Sequence, residues 1–490
     1  MKIAVQGCAH GELDIIYDTI EYIEKQENIN IDLLLCCGDF QATRNLEDLK
    51  SMAVPPKYLL LGSFYKYYSG EKTAPKLTIF IGGNHESSTY LQELPYGGWV
   101  APNIYYLGYA GVVSIAGIKI GGISGIYKVA DYTKGRFERA PFNEQTIRSC
   151  YHIRNLDVFR LKQLSFPIQI MMSHDWPQGI TDHGNVEQLK KFKPFLREDI
   201  ESNELGNKPI ADLLEYLKPD YWFAAHLHES GQKLTKFLAL DKCLPRRRFL
   251  QILDIPHDDT CELELSYDLE WLTVLHLTNH LISTKRGSSY LPGPGCDERW
   301  SFIPTAEEME IVLNKMQNNL VIPKNFVHTA APHGSNADNS PGIKLNPQTI
   351  ELCGKLGIDD PVALLLKEGS SNISFSNLNV SNSESNSFMG LTNSAIDSSN
   401  QSIHSEISIH KNITRTPLKL PTPTVHVPEN SDTDFLTSTP LSKVNENEIV
   451  EPKNVCSAVH EKPEADNSDV VSPKKFRRRN IALYGSTDDD

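Results

Sequence analysis

The chain is 490 residues long, which at about 100–200 residues per domain allows two to four domains. Its hydrophobic share is 40%, below the roughly 45–50% (a range that also counts Gly) of a chain that packs throughout, so part of it is expected to stay unpacked. Lys and Arg number 48 against 62 Asp and Glu, a formal net charge of −14, which excludes a surface coated in nucleic acid but not a local basic patch.

No apolar run approaches the roughly 18 residues of a membrane-spanning helix, so no membrane partner is expected. The opening Met1–Gly7 breaks into Gly and polar residues too early for a secretory leader. The nine cysteines are odd in number and form no Cys-x-x-Cys pair, which reads as reduced thiols of an intracellular protein.

Along the amino-terminal half, short apolar runs alternate with amphipathic stretches. Lys2–Val5 predicts a strand ending at Gly7. Asp14–Glu24 carries Ile15, Ile16, Ile20 and Ile23 at helical spacing. Asp32–Cys37 predicts a strand ending at Gly38-Asp39, and Leu77–Ile81 one ending at Gly82-Gly83. Val112–Ile115 and Lys119–Ile123, joined by Ala116-Gly117, predict a hairpin. Ile168–Met172 ends at Ser173-His174, and Tyr221–Ala224 at Ala225-His226. Continuous apolar strands of this kind are covered on both faces, and their alternation with helices predicts an α/β layered core.

From Lys236 to about Gly342 the chain reads as a smaller accessory domain or a wrap-around extension. It holds strand-like Arg248–Ile255 and Cys261–Tyr267, then Leu269–Thr278, and a helix over Thr305–Asn318 opened by a Thr305-x-x-Glu308 capping box. After Gly354 the composition turns to Ser, Asn and Pro, so 355–490 is expected to be a disordered tail.

Five of the predicted strands end in residues suited to metal binding: Cys8-Ala9-His10, Gly38-Asp39, Gly83-Asn84-His85-Glu86, Ser173-His174 and His226-Leu227-His228. Functional groups gather outside the carboxyl ends of strands in α/β sheets, so five loops are expected to converge on one cleft. Imidazoles, a carboxylate, an amide oxygen and a thiol are the donors a pair of divalent cations needs. A lone His in such a loop is usually only hydrogen-bonded, and Gly-Asp after a strand is commonly a turn. The ordered set at successive strand ends is what outweighs those readings.

This ordered set resembles the calcineurin-like metallophosphoesterases, whose pattern runs Asp-x-His, Gly-Asp, Gly-Asn-His-Asp/Glu, His, Gly-His-x-His. The match covers Met1 to Glu229. Cys8 stands where most of that superfamily has Asp, and Ala225 where Gly is usual. Cys8-x-His10, Gly38-Asp39-Phe40-Gln41-Ala42, Gly82–Glu86, Ser173–Pro177 and Leu291–Trp300 resemble one branch, the RNA lariat debranching enzymes, over about Met1–Thr305.

The resemblance implies a metallophosphoesterase-type layered β-sandwich flanked by helices: a catalytic domain over 1–235, an accessory C-terminal domain over 236–350, and the tail. It implies one metal on Cys8, His10, Asp39 and His228, and a second on Asp39, Asn84, His174 and His226. The two divalent ions would be Fe²⁺, Zn²⁺ or Mn²⁺, the Cys8 thiolate favouring softer ions over Mg²⁺. The implied reaction is hydrolysis of the 2′,5′-phosphodiester at the branch of an excised intron lariat by a metal-activated hydroxide. His85 would be the general acid on the leaving oxygen, with Glu86 orienting it.

The stretch 125–154 is locally basic and carries aromatic residues, as RNA contact requires. The family places its lariat recognition loop here, which assigns Tyr127, Lys128, Lys134, Arg136, Arg139, Arg148 and Arg154 to the RNA. A second basic spot is Arg246-Arg247-Arg248. Pro473–Arg479 resembles a nuclear import signal and predicts a nuclear address. Another dinuclear metallophosphoesterase, a nuclease or cyclic nucleotide phosphodiesterase, is the alternative. The segments Ser173–Pro177 and Leu291–Trp300 argue against it. Tail partners are unknown.

Overall fold

The structure, a computed structural model, describes residues 1–225, 230–232, 235–335 and 342–370. Its strands are β1 (Lys2–Gln6), β2 (Leu33–Cys36), β3 (Leu77–Phe80), β4 (Gly98–Ala101), β5 (Ile104–Tyr106), β6 (Ala110–Ile115), β7 (Ile118–Ile123), β8 (Ile170–Ser173), β9 (Tyr221–Ala224), β10 (Ser230–Gln232), β11 (Lys236–Ala239), β12 (Leu250–Asp254) and β13 (Ser266–Tyr267). One sheet runs β12-β1-β2-β3-β5-β4 and the other β10-β11-β9-β8-β7-β6-β13. Within the first, β1, β2, β3 and β5 are parallel; within the second, β7, β8, β9 and β11 are parallel.

Side-chain alternation explains the layering. Ile3 and Val5 of β1 and Leu33 and Leu35 of β2 enter one core with Ile120 of β7, Met172 of β8 and Phe223 of β9, between the sheets. Ala4, Leu34 and Cys36, offset by one residue, face the opposite way. They pack against Leu13, Ile16, Ile20 and Ile23 of the helix Leu13–Glu27. The β-sandwich flanked by helices follows from this two-sided burial of the first sheet.

The β6–β7 hairpin turns at Ala116 (φ 45°) and Gly117 (φ 75°), the two left-handed residues a tight hairpin turn requires. The predicted capping box is present: Thr305 and Glu308 bond each other's main-chain N–H at the start of the helix Ala306–Lys315. Of Cys261–Tyr267 only β13 pairs with another strand. Cys261–Glu264 is exposed, so its alternation has no sheet to serve. Leu269–Leu277 is a helix, started by the Asp268 carboxylate accepting the Trp271 N–H at 2.8 Å.

The segment after Lys236 does not fold apart from what precedes it. β11 lies beside β9 in parallel register, and β12 closes the outer edge of β1 antiparallel. The expectation of a tail from 355 onward also begins too early. Helices Pro347–Leu356 and Pro361–Ser370 follow, with Leu356, Ile358, Val362 and Leu365 buried. Asp360 accepts the Val362 N–H at 2.8 Å, and Tyr96 donates to the Asp359 carbonyl at 2.7 Å, which ties this end of the chain down. The predicted unpacked tail from 371 and the basic run 473–479 lie outside the described residues. Among the described residues no helix is long and apolar enough to cross a membrane.

Candidate metal centre

The parallel strands of both sheets release their loops at one edge of the sandwich, and main-chain bonds draw those loops together. His10 N–H donates to the Asp39 carbonyl at 2.6 Å and Gly11 N–H to that of Phe40 at 3.0 Å, joining the loops after β1 and β2. Gly125 N–H donates to Gly82 O at 2.8 Å, joining the loops after β3 and β7. Both His10 (φ 47°) and Asp39 (φ 45°) hold left-handed backbone, a costly conformation for residues with side chains and one that gathers at functional sites.

Asp39 is the hub. Its Oδ1 accepts the N–H groups of Asn84 (2.9 Å) and His85 (2.8 Å). His174 Nε2 lies 3.3 Å from Asp39 Oδ1 and 3.3 Å from Asn84 Oδ1. On the other carboxylate oxygen, Oδ2, His10 Nε2 and His85 Nδ1 each stand at 3.8 Å. The donor atoms of Cys8, Asp39 and His174 lie within 4.8 Å of one another, and so do those of His10, Asp39 and His85. Asp39 belongs to both groups, the position of a bridging carboxylate.

Two glycines let this happen. A Cβ on Gly38 (φ 104°) would lie 2.3 Å from His174 Nδ1, and one on Gly83 only 2.2 Å from Asp39 Oδ1. His174 Nδ1 sits 2.9 Å from the Cys37 carbonyl, which can only accept, so Nδ1 carries the proton. With Nδ1 holding its proton against the Cys37 carbonyl, Nε2 is the ring atom turned towards the Asp39 and Asn84 oxygens and the one a metal shared with them would take.

Protonation states agree. Burial alone would push the Asp39 carboxyl up, but His174, His85, His10 and the His85 N–H outweigh it and hold it well below the usual carboxylate range. Burial brings His10 down to about 4 against the pull of Asp39. At neutral pH the site therefore offers an ionised carboxylate beside an uncharged imidazole. With the Cys8 thiol and the Asn84 amide oxygen, these donors fit divalent cations of mixed nitrogen, oxygen and sulfur preference.

Cys8, His10, Asp39, Asn84 and His174 are thus gathered around one carboxylate, but the close groups are Cys8–Asp39–His174 and His10–Asp39–His85, a different partition from the Cys8–His10 and Asn84–His174 sets expected from the sequence. His226 and His228 lie outside the described residues. His85 stands as near Asp39 as His10 does. The Glu86 carboxylate accepts from the main-chain N–H of Phe40 (2.7 Å), Gln41 (2.9 Å) and Gly83 (2.9 Å), so it clamps the loops after β2 and β3. Burial, then Asp39, pushes Glu86 up to about 7 against those three donors.

The basic stretch needs correction at two residues. The Arg154 guanidinium is buried, ion-paired to Glu138 at 2.6 Å, and donates to the Gly135, His152 and Ser149 carbonyls. Arg136 pairs with Asp157 at 2.6 Å and lies 3.3 Å over the Tyr109 ring. Both hold the loop's shape, Arg154 buried and Arg136 half-buried, with their charges already taken up inside the protein. Lys134 pairs with Asp131 at 2.8 Å. Lys128, Arg139 and Arg148 are exposed, and Tyr127 is half-buried.

Sequence reasoning missed Asp175, whose Oδ2 accepts the Tyr127 N–H at 2.7 Å and anchors the loop's first turn beside His174. It also missed Arg44, which bonds Asp48, Glu93 and Thr329. The only signal for Asp175 was its adjacency to a ligand. A buried Arg in a polar loop gives none.

Residues 1–230 match the family model described as calcineurin-like phosphoesterase, and 232–361 that of the lariat debranching enzyme C-terminal domain. The chain is 53% identical over 391 residues to a lariat debranching enzyme of Gallus gallus, covering 76% of this chain and 73% of that one. To the Drosophila melanogaster enzyme of the same name it is 53% identical over 427 residues, 75% and 79% covered. To that of Homo sapiens it is 54% identical over 378 residues, 74% and 70% covered. With identity this high across both the phosphoesterase core and the segment that completes its sheets, the chain belongs to the lariat debranching enzyme family of calcineurin-like phosphoesterases.

Proposed function

We propose that this chain hydrolyses the 2′,5′-phosphodiester at the branch of intron lariat RNA. The observation that carries the reading is Asp39, a buried carboxylate with imidazoles from three different loops around its two oxygens and the Cys8 thiol within reach; the division of ligands between two ions follows the family resemblance. The name borne by the relatives supports the choice of substrate. Cys8 and His10 with Asp39 would hold one divalent ion, and Asn84 and His174 with Asp39 the other. The family resemblance adds His228 to the first set and His226 to the second, both outside the described residues.

Such ions, when bound, lower the pKa of a coordinated water and neutralise charge on phosphoryl oxygens. This chain's own groups position and protonate. The Cys37 carbonyl fixes the His174 ring. Glu86 holds the Asp39 loop against the Asn84 loop. His85, with a side chain about a quarter exposed, carries a proton for the departing 2′-oxygen.

The test is a substrate panel on metal-stripped protein reloaded with Fe²⁺, Mn²⁺, Zn²⁺ or pairs of them. Branched RNA should be cut at its 2′,5′-linkage, leaving a 5′-phosphate and a free 2′-hydroxyl. Faster turnover of linear 3′,5′-RNA or of 3′,5′-cyclic nucleotides would overturn the reading.

A further inference from the structure

The loop that leaves the metal centre at Gly125 is not alone on its surface. Residues 133–136 pair with a segment of the C-terminal domain. Gly135 N–H donates to Lys285 O at 3.1 Å, Arg136 N–H to Ser283 O at 2.8 Å, and Ser289 N–H to Thr133 O at 2.6 Å. Lys134 and Ser288 form an antiparallel bridge between them. The Arg286 guanidinium lies 5.0 Å over the Phe137 ring, so the two segments form one ribbon through side chains as well.

The charges on this ribbon divide into two sets. Arg136, Arg154 and Lys134 are taken up by Asp157, Glu138 and Asp131. Lys128, Lys285 and Arg286 are exposed, and among the described residues no carboxylate pairs with any of them. Tyr290, at the end of the segment, is 62% exposed. In a chain of net charge −14, unpaired cations beside an open aromatic ring make a local surface for a polyanion with flat bases.

We propose that Ser283–Tyr290 is a second wall of the RNA-binding surface, with Lys285 and Arg286 on phosphates of a single-stranded arm and Tyr290 offering its ring to a base. This rests on the lariat RNA reading above. Continuity selects RNA over an acidic peptide: the ribbon's main chain leads to Gly125, hydrogen-bonded at Gly82, at the rim of the phosphodiester site.

The experiment measures binding of a labelled branched RNA to the metal-loaded enzyme between 50 and 200 mM salt, roughly the range over which phosphate contacts dominate. For Lys285→Ala/Arg286→Ala the slope of log affinity against log salt should shrink by about 1.4, at about 0.7 per single-strand phosphate contact. Lys285→Ala/Arg286→Lys, which keeps one charge, should lose only about half of that. Turnover of bis(p-nitrophenyl) phosphate, too small to reach the ribbon, should stay at the wild-type level. An unchanged salt slope overturns the proposal. Equal losses on both substrates, or an acidic peptide displacing the RNA, overturn it too. Failure of the underlying reading looks different: the wild type itself would leave branched RNA uncut.

Discussion

Asp39 holds its carboxylate among three imidazoles, and it can do so because Gly38 and Gly83 leave room. Gly83→Ala would place a Cβ 2.2 Å from Asp39 Oδ1 and 2.9 Å from His174 Cε1. The expected outcome is a folded protein that retains less metal after dialysis and turns over about 10²-fold more slowly, the scale of an ångström-sized misplacement. Metal analysis alongside far-UV circular dichroism checks it; full metal content with wild-type turnover would contradict it. His85 makes a sharper case, since it stands at a ligand's distance from Asp39. If it is the general acid, His85→Ala keeps its metals and loses about 10²–10⁴-fold in kcat. Loss of metal in that variant would instead make it a ligand.

At the scale of an element, the 125–154 loop divides into residues that build it and residues that face outward. Arg154→Ala would strand a Glu138 carboxylate only 2% exposed and three carbonyls that now share one guanidinium. Removing one partner of a buried ion pair costs about 3–5 kcal/mol, so this variant should lower the urea midpoint. Lys128→Ala and Arg139→Ala remove exposed charges and should leave that midpoint unchanged while weakening RNA binding. If Arg154→Ala matched them in stability, the inward ion pair would contribute nothing to the fold. The basic pattern was legible in the sequence, but its division was not. Arg136, Arg139 and Arg154 are alike as letters, and only Asp157, Tyr109 and Glu138, from other parts of the chain or loop, set two of them apart.

For the whole molecule, the segment after residue 230 is structural to the catalytic core. β11 pairs with β9, β12 with β1, and Leu238, Leu253, Ile255 and Leu265 enter the inter-sheet core. Near the Asp39 loop, Arg44 donates to Thr329 at 2.8 Å, Asn45 to the Ala331 carbonyl at 2.9 Å, and His333 N–H to Arg44 O at 3.0 Å. A fragment ending at residue 230 would expose two strand edges and leave the Arg44–Glu93 pair without its cover. It should fail to unfold cooperatively in a thermal melt; a sharp transition with metal binding intact would show the first 230 residues to be self-sufficient.

The sequence by itself determined β1, β2, β3, β6 to β9 and β12, the amphipathic helix, the hairpin turn at Ala116-Gly117 and the ligand types at successive strand ends, but not β4, β5 or β11. All of these are local: alternation, turn chemistry and capping are written within a few neighbouring residues. It also determined that Cys8 replaces the usual carboxylate. Tertiary structure alone decided that Cys8 groups with His174 and His10 with His85 around Asp39, and that Glu86 clamps two loops. It alone decided that Arg154 supports the fold, and that a segment near residue 285 sits against a loop near residue 135. Each of these depends on groups far apart in the chain meeting at hydrogen-bond distance, and no local pattern records which distant partner a buried charge will find.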